Sequence, residues 1–502
     1  MRFTSLVVEL IRARPRLVVW LVVLLQAAIW LILPMLLYRS PPGDLATVLA
    51  YGREYQVGTY LGPPLAFWLA DIAYRAVGNH VFGVYLLAQI CAVVTFWAFY
   101  QLARAIVGGQ QAVLAVLLSM TVVAFSSPGV EFGPLVLARP LWALLLLHSW
   151  QLIGQNRRSA WFAWSIEAGL LLLTTSAAIG LLLLIVGFFV ATARGRRLLM
   201  SLDPLYALLV IVVLALPYLI WVLRADVLAM PPWPAIDDLS ARAMHWGGLL
   251  GGLVLAVAGI VLLVILNSGW FVRNAEEAPI IYRPPVDPLA REFVYCFAIG
   301  PALAGSLLAG LFNLDRVVGG AGVALLMSGL AAIVATGDLV YLRRQKLLRT
   351  VWASAVAAPA FVAIATTLFL PWTSGTEVPT SLPARAIAHF FGDNFERRTN
   401  QKLRAVTGDP QLASFIAMDT GRPHLLLDAT PERTPWLSVA KFNDTGGVVV
   451  WRASDTSGTP PPDIAQRVPG LVPEVPRAFE WMVNGRQPLL RVGWAIVRPK
   501  AP

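Results

Sequence analysis

Carboxylates are scarce before residue 371, and those between apolar segments are the residues best able to do chemistry. The stretch 38–65, YRSPPGDLATVLAYGREYQVGTYLGPPL, is the first polar interval of the chain and holds Asp44. Glu131 lies in a later polar interval, SSPGVEFGP. A carboxylate near a membrane surface can take a proton from an acceptor hydroxyl or amine and so act as a general base. Asp44 and Glu131 are therefore the candidate catalytic residues.

Each of these carboxylates also has an ordinary structural explanation. Asp44 precedes a segment, up to Tyr55, that can form a short helix, and aspartate is a common residue at a helix N-cap. The residues around Glu131 are typical of a loop, so the structural explanation for Glu131 is an ordinary loop carboxylate. Asp237 and Asp238 precede a later apolar segment and can cap the helix that follows.

Arginine side chains near these intervals are candidates to bind the phosphate of a lipid-linked donor and to stabilise it as a leaving group. Arg139 stands one turn into an apolar segment beside Pro140, where snorkelling of its guanidinium to the surface is the alternative explanation. The predicted substrate-binding residues are Arg53, Glu54, Pro63, Pro64, Arg139, Arg224, Arg242 and His245.

The sequence indicates no cofactor. Cys91 and Cys296 each lie alone in an apolar run, and the five histidines are scattered without metal-ligand spacing. Phosphate-binding and dinucleotide-binding glycine motifs are missing from strand–turn–helix contexts. The prediction is therefore that no metal or organic cofactor is required, although a divalent cation remains possible.

The composition of the chain is typical of a membrane protein. Of its 502 residues 58% are hydrophobic and 13% charged, and the mean hydropathy is +0.69. About eleven segments approach the roughly 20 apolar residues that a spanning helix needs. They lie near 17–37, 81–103, 111–126, 134–153, 160–175, 177–193, 204–223, 246–266, 293–311, 320–341 and 351–370.

The basic residues behind the net charge of +11 are distributed as membrane topology predicts. Lysine and arginine concentrate in alternate connecting segments, beginning with Arg2, Arg12, Arg14 and Arg16 before the first apolar run. Basic connections face the cytoplasm, which predicts a cytoplasmic N-terminus and membrane lipid rather than nucleic acid as the partner of this charge. An odd number of spans places the loop 38–80 and everything after residue 371 outside.

The predicted domains are a membrane domain, 1–370, and an outward tail, 371–502, of ordinary soluble composition. Within the loop 38–80, Pro63-Pro64 leads into an amphipathic segment, Leu65 to Val77, that suits a helix at headgroup level. The tail reads as a small α/β or α+β domain. We expect helices over 382–398 and 410–418, strands near 403–406, 424–427 and 448–451, and a hairpin of 478–483 with 489–497 around Asn484-Gly485.

Three stretches give the chain a resemblance: GREYQVGTYLGPPLAFWLADIAYRAVG (52–78), PLWALLLLHSW (140–150) and LPYLIWVLRAD (216–226). With the acidic first loop and the outward tail, they resemble the membrane glycosyltransferases of the C-type (GT-C) superfamily, in the protein mannosyltransferase-like family 39. The resemblance implies a polytopic α-helical GT-C fold. It also implies that Asp44 is the catalytic base, although Leu45 follows where the family usually has a second acid.

Two hypotheses of different classes follow. The first, implied by the resemblance, is an inverting glycosyltransferase in a bacterial inner membrane, with its active site on the periplasmic face. Its donor would be a polyprenyl-phosphate sugar, and its acceptor a lipid-linked glycan, a lipid A or core sugar, or a protein. The second is a non-enzymatic membrane protein, either a transporter or a degenerate relative with an assembly role. Transporters usually contain repeated halves with ionisable groups at the midplane, and no such repeat is evident here.

Overall fold

The structure is a computed structural model. It describes residues 3–127, 129–224, 238–268, 280–373, 375, 377–419, 421–427, 434–453, 455–481, 483 and 485–500.

The first part of the chain is helical apart from one pair of short strands. Its elements in chain order are α1 (Phe3–Ala13), α2 (Pro15–Leu37), α3 (Leu45–Gly52), α4 (Leu65–Ala76), α5 (Val81–Val107), α6 (Gly109–Ser119), α7 (Val123–Ser126), α8 (Pro134–Ile153), α9 (Ala160–Leu172), α10 (Ala178–Ala191), α11 (Ala193–Leu199), α12 (Asp203–Arg224), α13 (Leu239–Ala256), α14 (Ala258–Asn267), β1 (Ile280–Tyr282), α15 (Pro288–Leu311), α16 (Gly320–Ala324), α17 (Ser328–Ala335), β2 (Leu339–Tyr341) and α18 (Gln345–Thr373).

Within the described residues, six helices are long and apolar enough to cross a membrane: α2, α5, α8, α12, α15 and α18. The number rises to eight if each of the bent pairs, α10 with α11 and α13 with α14, is one span. The helices α6, α9 and α16–α17 are shorter apolar segments. A helix that is apolar all round needs apolar surroundings, and α12 and α18 have few residues buried inside the protein, so their apolar sides face lipid. The prediction of a polytopic α-helical membrane protein is confirmed.

The predicted segment 320–341 is wrong at its end. The helix ends at Ala335, and Gly337 follows with a φ of +90°, a conformation that favours glycine. Leu339–Tyr341 then pairs antiparallel with Ile280–Tyr282. In the sequence, Leu339–Tyr341 looks like a continuation of the apolar helix, because the strand with which it pairs is distant along the chain.

The loop after α2 folds into two packed helices. Phe67 and Tyr74 of α4 are buried, and α3 and α4 approach so closely that a Cβ on Gly52 would lie 2.3 Å from the Phe67 carbonyl oxygen. The Trp68 indole donates to the Gln56 carbonyl oxygen at 3.0 Å. One face of α4 therefore packs inside the protein, and its position at headgroup level stays a prediction.

The tail forms a five-stranded sheet with helices. Its elements are α19 (Ala384–Thr399), β3 (Ala405–Gly408), α20 (Pro410–Asp419), β4 (His424–Leu426), α21 (Val439–Thr445), β5 (Gly447–Arg452), α22 (Pro462–Arg467), β6 (Glu474–Phe479) and β7 (Leu490–Val497). The strand order is β4-β3-β5-β7-β6. The strand β3 is parallel to β4 and β5, whereas β7 is antiparallel to both β5 and β6.

The predicted hairpin exists, but its first strand begins and ends earlier than expected. Phe479 pairs with Leu490, and the connection between β6 and β7 includes Pro488, which has no N–H to donate to a sheet. Asn484, expected at the turn, lies outside the described residues. The helices α21 and α22 were not predicted.

The tail packs against the first loop. The Arg39 N–H donates to the Thr380 carbonyl oxygen at 2.9 Å, and the Thr47 and Ser414 hydroxyls are 2.9 Å apart. The Tyr51 ring meets the Trp436 ring edge to face at 5.2 Å. We call this the loop end of the bundle, where α2 ends and α5 begins. The arginine-rich end is the opposite one, where α2 begins and α5 ends; there Arg12 donates to the Ile280 carbonyl oxygen at 2.7 Å.

Candidate functional site

Asp44 occupies the N-cap position of α3, but its side chain does not cap the helix. Among the described residues it makes no capping hydrogen bond to the α3 backbone, and the residue is exposed. The capping explanation for this aspartate therefore fails on geometry, because a capping carboxylate accepts hydrogen bonds from the first-turn N–H groups. Its carboxylate faces solvent at the loop end.

Glu131 reaches the same place from another loop, the connection between α7 and α8. Its Oε2 lies 2.6 Å from the position that a Cβ on Gly43 would occupy, and its Cδ lies 2.7 Å from that position. Gly43 has a φ of +55°, in the left-handed region that glycine adopts without steric cost. Glycine at this point therefore lets the Glu131 carboxylate lie against the backbone immediately before Asp44.

The charge of Asp44 also acts on Glu131. Burial raises the pKa of Glu131 above its ordinary value, Arg316 opposes this shift, and the Asp44 charge adds to it. Burial and the Glu131 charge both raise the pKa of Tyr38, which follows the end of α2. Asp44, Glu131, Tyr38 and Arg316 thus form one polar group, which we call the acid-pair site. Tyr38 and Arg316 were not among the predicted site residues.

The acid-pair site can accept a proton and has a cation nearby. A carboxylate whose pKa is raised, as that of Glu131 is, is a stronger base when ionised than one of ordinary pKa. Two carboxylates also offer oxygen ligands to a divalent cation. Among the described residues, however, His, Cys, Asp and Glu side chains form no group of three or more that could hold a metal.

Arg53 and Glu54 lie at the far end of α3 from Asp44. The rise of an α-helix places Arg53 about 13 Å along the axis from Asp44. The Glu54 carboxylate accepts a hydrogen bond from His424 Nδ1 at 2.8 Å, across to the tail. Burial lowers the pKa of Arg53, and its Nη1 is buried with no hydrogen-bond partner among the described residues. The structure therefore separates these two predicted residues from the acid pair.

A cluster of one buried carboxylate and two arginines lies near Arg53. Its three members were not among the predicted site residues. Asp71 of α4 is fully buried; its carboxylate lies 2.7 Å from Arg75 Nε and 2.5 Å from Arg422 Nη2. Arg422 also donates to the Leu49 carbonyl oxygen at 3.2 Å and lies over the Tyr74 ring. We call Asp71, Arg75 and Arg422 the junction cluster, because it joins the first loop to the tail.

Pro63 and Pro64 are buried where α4 begins, and the Leu65 N–H donates to the Leu173 carbonyl oxygen at 3.0 Å. This loop also contacts α12, since a Cβ on Gly58 would lie 2.2 Å from Trp221. Arg224, the exposed last residue of α12, is within one turn of Trp221 and therefore lies near this loop.

Arg139 lies inside the bundle, in the second turn of α8. Its Nη1 donates to the Ala124 carbonyl oxygen at 3.2 Å, and its Nε lies 2.4 Å from the position of a Cβ on Gly322. The guanidinium also lies 6.0 Å from the centre of the Phe125 ring. Arg139 is thus held between helices at the loop end of the bundle. A side chain that snorkels freely would instead extend to the surface.

The remaining candidates are on or before α13. Arg242 and His245 lie in its first turns, and His245 Nε2 donates to the Leu314 carbonyl oxygen at 3.0 Å. That contact brings α13 to the loop that carries Arg316. Asp238 precedes α13 without capping it among the described residues. Asp226 and Asp237 lie outside the described residues.

Comparison with known proteins supports the fold. Residues 62–221 match the family model described as dolichyl-phosphate-mannose-protein mannosyltransferase. The chain is similar to the crystal structure of ArnT from Cupriavidus metallidurans bound to undecaprenyl phosphate, with a TM-score of 0.58 and 14% identity over 96% of this chain and 99% of that one. The apo state of that ArnT gives a TM-score of 0.56 with 14% identity, over 95% and 97% of the two chains.

The Archaeoglobus fulgidus oligosaccharyltransferase, in complex with zinc and sulfate, gives a TM-score of 0.46 with 14% identity over 85% of this chain and 67% of that one. No curated protein sequence matches the chain. The family match and the ArnT fold confirm the resemblance that the sequence indicated.

Proposed function

We propose that this chain, a membrane protein with the GT-C fold, is an inverting glycosyltransferase. It moves a sugar from a polyprenyl-phosphate carrier to a lipid-linked glycan, to a lipid A or core sugar, or to a protein. The observation that carries the proposal is the convergence of Asp44 and Glu131 at the loop end, from separate loops that meet only in the fold. The undecaprenyl phosphate bound in the similar ArnT structure supports this class of donor.

In the proposed reaction Asp44 is the general base. Its carboxylate takes the proton of the acceptor O–H or N–H while the acceptor atom forms a bond to C1 of the sugar. The bond between C1 and the phosphate oxygen breaks, and the carrier phosphate leaves with the electron pair. Attack on the face opposite the leaving group inverts the configuration at C1.

The neighbouring groups take supporting roles in this proposal. Glu131, which packs against Gly43, positions the acceptor or shares the proton with Asp44. Arg316 is a cation whose charge acts on Glu131, and it would stabilise the charge that develops on the departing phosphate. Arg224, Arg242 and Arg139 remain predicted phosphate-binding residues, with Arg53 and Glu54 farther from the acid pair.

We further propose that the protein lies in a bacterial inner membrane with its N-terminus in the cytoplasm and the loop end in the periplasm. The donor would enter the site sideways from the lipid. The displacement itself needs no organic cofactor, and a divalent cation bound to the two carboxylates would assist the leaving phosphate. Loss of activity in EDTA that added Mg²⁺ or Mn²⁺ restores would establish that requirement.

The function is tested with purified protein, radiolabelled polyprenyl-phosphate sugars and a membrane extract that supplies acceptors. We expect release of polyprenyl phosphate together with transfer of label to an extractable glycolipid, glycan or protein. Absence of carrier release with every hexosyl, pentosyl and uronyl donor would contradict the proposal and favour the non-enzymatic alternative.

A further inference from the structure

A second polar group lies at the arginine-rich end, between the start of α2 and the last turns of α5. A cavity of about 250 Å³ opens there. Arg16 and Trp20 of α2 line it, together with Trp97, Tyr100 and Gln101 of α5 and three valines. It lies at the opposite end of α2 and α5 from Asp44 and takes no part in the proposed transfer.

Tyr100 lines this cavity, and its buried hydroxyl is the most informative group beside it. Tyr100 is only 4% exposed, and its hydroxyl has no hydrogen-bond partner among the described residues. A buried hydroxyl that lacks a partner is costly, so a polar ligand that it can donate to would stabilise this arrangement. The hydroxyl also lies 3.9 Å from the position of a Cβ on Gly109, the first residue of α6.

The charges around the hydroxyl select an anion. Arg16 and Arg104 are both exposed, and both are close enough to Tyr100 to interact with its hydroxyl electrostatically. The N-terminus of α6 adds the partial positive charge of its first-turn backbone N–H groups. Phosphate groups bind where arginines, a hydroxyl donor and a helix N-terminus come together.

Apart from Gln101, the remaining residues that line the cavity are apolar and face the membrane. Trp20 and Trp97 are 42% and 37% exposed, as expected for aromatic residues at the lipid–water interface. Val19, Val23 and Val93 continue the lining from the polar end toward the middle of the bundle. A ligand that fits this lining has a phosphate at one end and a hydrocarbon chain at the other.

We propose that this cavity binds one anionic diacyl phospholipid from the leaflet at the arginine-rich end. The lipid phosphate accepts a hydrogen bond from the Tyr100 hydroxyl and pairs with Arg16 and Arg104. One acyl chain lies between the Trp20 and Trp97 rings, along the valines. The site would hold α2 and α5 together at this end through a lipid from the surrounding membrane.

Native mass spectrometry of the full chain in neutral detergent tests the proposal. Phosphatidylglycerol is titrated in, and phosphatidylcholine with the same acyl chains is the comparison. We expect phosphatidylglycerol to bind more tightly, and Tyr100→Phe to weaken that binding about tenfold, as loss of one hydrogen bond to a charged group predicts. The double variant R16Q/R104Q should weaken it further.

Matched controls lie on the same side of the protein. Tyr206→Phe removes the hydroxyl of a tyrosine that is 62% exposed near the start of α12, and Arg197→Gln removes an exposed charge on α11; neither should change lipid binding. Arg16 is exposed, so Arg16→Gln alone serves as a variant that leaves the packed interior intact. Equal binding of the two lipids, or unchanged binding in the Tyr100 and Arg16 variants, would overturn the proposal. So would displacement of the lipid by an equal concentration of inorganic phosphate or polyprenyl phosphate.

Discussion

Gly43 is the residue that leaves room for the Glu131 carboxylate beside the backbone before Asp44. Alanine there would take a φ of +55°, and its Cβ would lie 2.6 Å from Glu131 Oε2. Gly43→Ala should therefore move Glu131 away and lower the transfer rate at least tenfold, about 1.4 kcal/mol of transition-state stabilisation. The measurement is kcat/KM with a polyprenyl-phosphate sugar.

Gly78→Ala is the matched control for this substitution. Gly78 has a similar φ of +75°, but no atom lies within 4 Å of the position that its Cβ would take. Both alanines carry the backbone cost of a left-handed conformation, about 1–2 kcal/mol, so only Gly43→Ala combines it with a displaced carboxylate. Equal loss of activity in both variants would show that the close contact with Glu131 has no role.

The effect of the Arg316 charge on Glu131 predicts how kcat/KM depends on pH. Burial and the Asp44 charge raise the pKa of Glu131, and Arg316 opposes them. Without that cation the pKa of Glu131 rises further, so the carboxylate takes up its proton at a higher pH. If ionised Glu131 is required, the acidic limb of the kcat/KM profile moves to higher pH in Arg316→Gln and stays in place in Arg316→Lys.

Lys402→Gln controls for a general change in charge, because Lys402 is an exposed cation of the tail. Its profile should match that of the wild type. If the acidic limb of the kcat/KM profile does not move in Arg316→Gln, ionised Glu131 is not required for the rate-determining proton transfer.

At this scale the sequence identifies the acids but not their neighbours. Asp44 and Glu131 are conspicuous because carboxylates are scarce before residue 371. Arg316 and Tyr38 are unremarkable in the sequence, because nothing local indicates which loops converge. The left-handed conformation of Gly43 is likewise a property of the folded loop, although a glycine directly before a candidate acid is a signal worth testing.

At the scale of elements, the junction cluster ties α4 to the segment between α20 and β4. Asp71→Asn removes a buried charge that Arg75 and Arg422 both contact, which leaves the Arg422 charge without its partner. Loss of one partner of a buried pair typically costs about 3 kcal/mol. We expect a clearly lower melting temperature in detergent and faster proteolysis of the tail.

Arg75→Gln and Arg422→Gln distinguish the two contacts of Asp71. The Arg75 side chain is half exposed, so its loss should cost less than about 1 kcal/mol, whereas the Arg422 side chain is only 12% exposed and links the two parts. Equal melting temperatures for these two variants would refute the role of Arg422 in holding the tail.

Element prediction succeeds where one physical signal dominates. Long apolar runs predict helices, and all eleven predicted segments contain helix in the described structure. Pairing partners are not visible in the same way. The strand Leu339–Tyr341 is recognisable only beside Ile280–Tyr282, and β6 takes its register from β7.

At the scale of the whole molecule, the tail folds back onto the first loop. Glu54 pairs with His424, and Thr47 with Ser414, across most of the chain. The alternation of basic segments predicts that both parts lie on one side of the membrane, and the contacts agree. Which surfaces meet could not be predicted, because it depends on packing between residues that are distant in the sequence.

The orientation of the molecule can be tested by cysteine labelling. In a chain without Cys91 and Cys296, a membrane-impermeant maleimide applied to spheroplasts should label Asp463→Cys in the tail. It should label Arg197→Cys, on the exposed surface of α11, only after permeabilisation. The reverse pattern would place the N-terminus and the basic segments outside.

The most direct test of the proposed function is sugar transfer by the Asp44→Asn variant. Asparagine keeps the shape of the side chain and removes the proton acceptor, and loss of a general base lowers rates by about 10²–10⁴-fold. Asp393→Asn, an exposed aspartate on α19, controls for the substitution itself. We predict normal membrane insertion for both variants, wild-type release of polyprenyl phosphate for Asp393→Asn, and at least a hundredfold loss for Asp44→Asn. A fully active Asp44→Asn variant would contradict the assignment of Asp44 as the catalytic base.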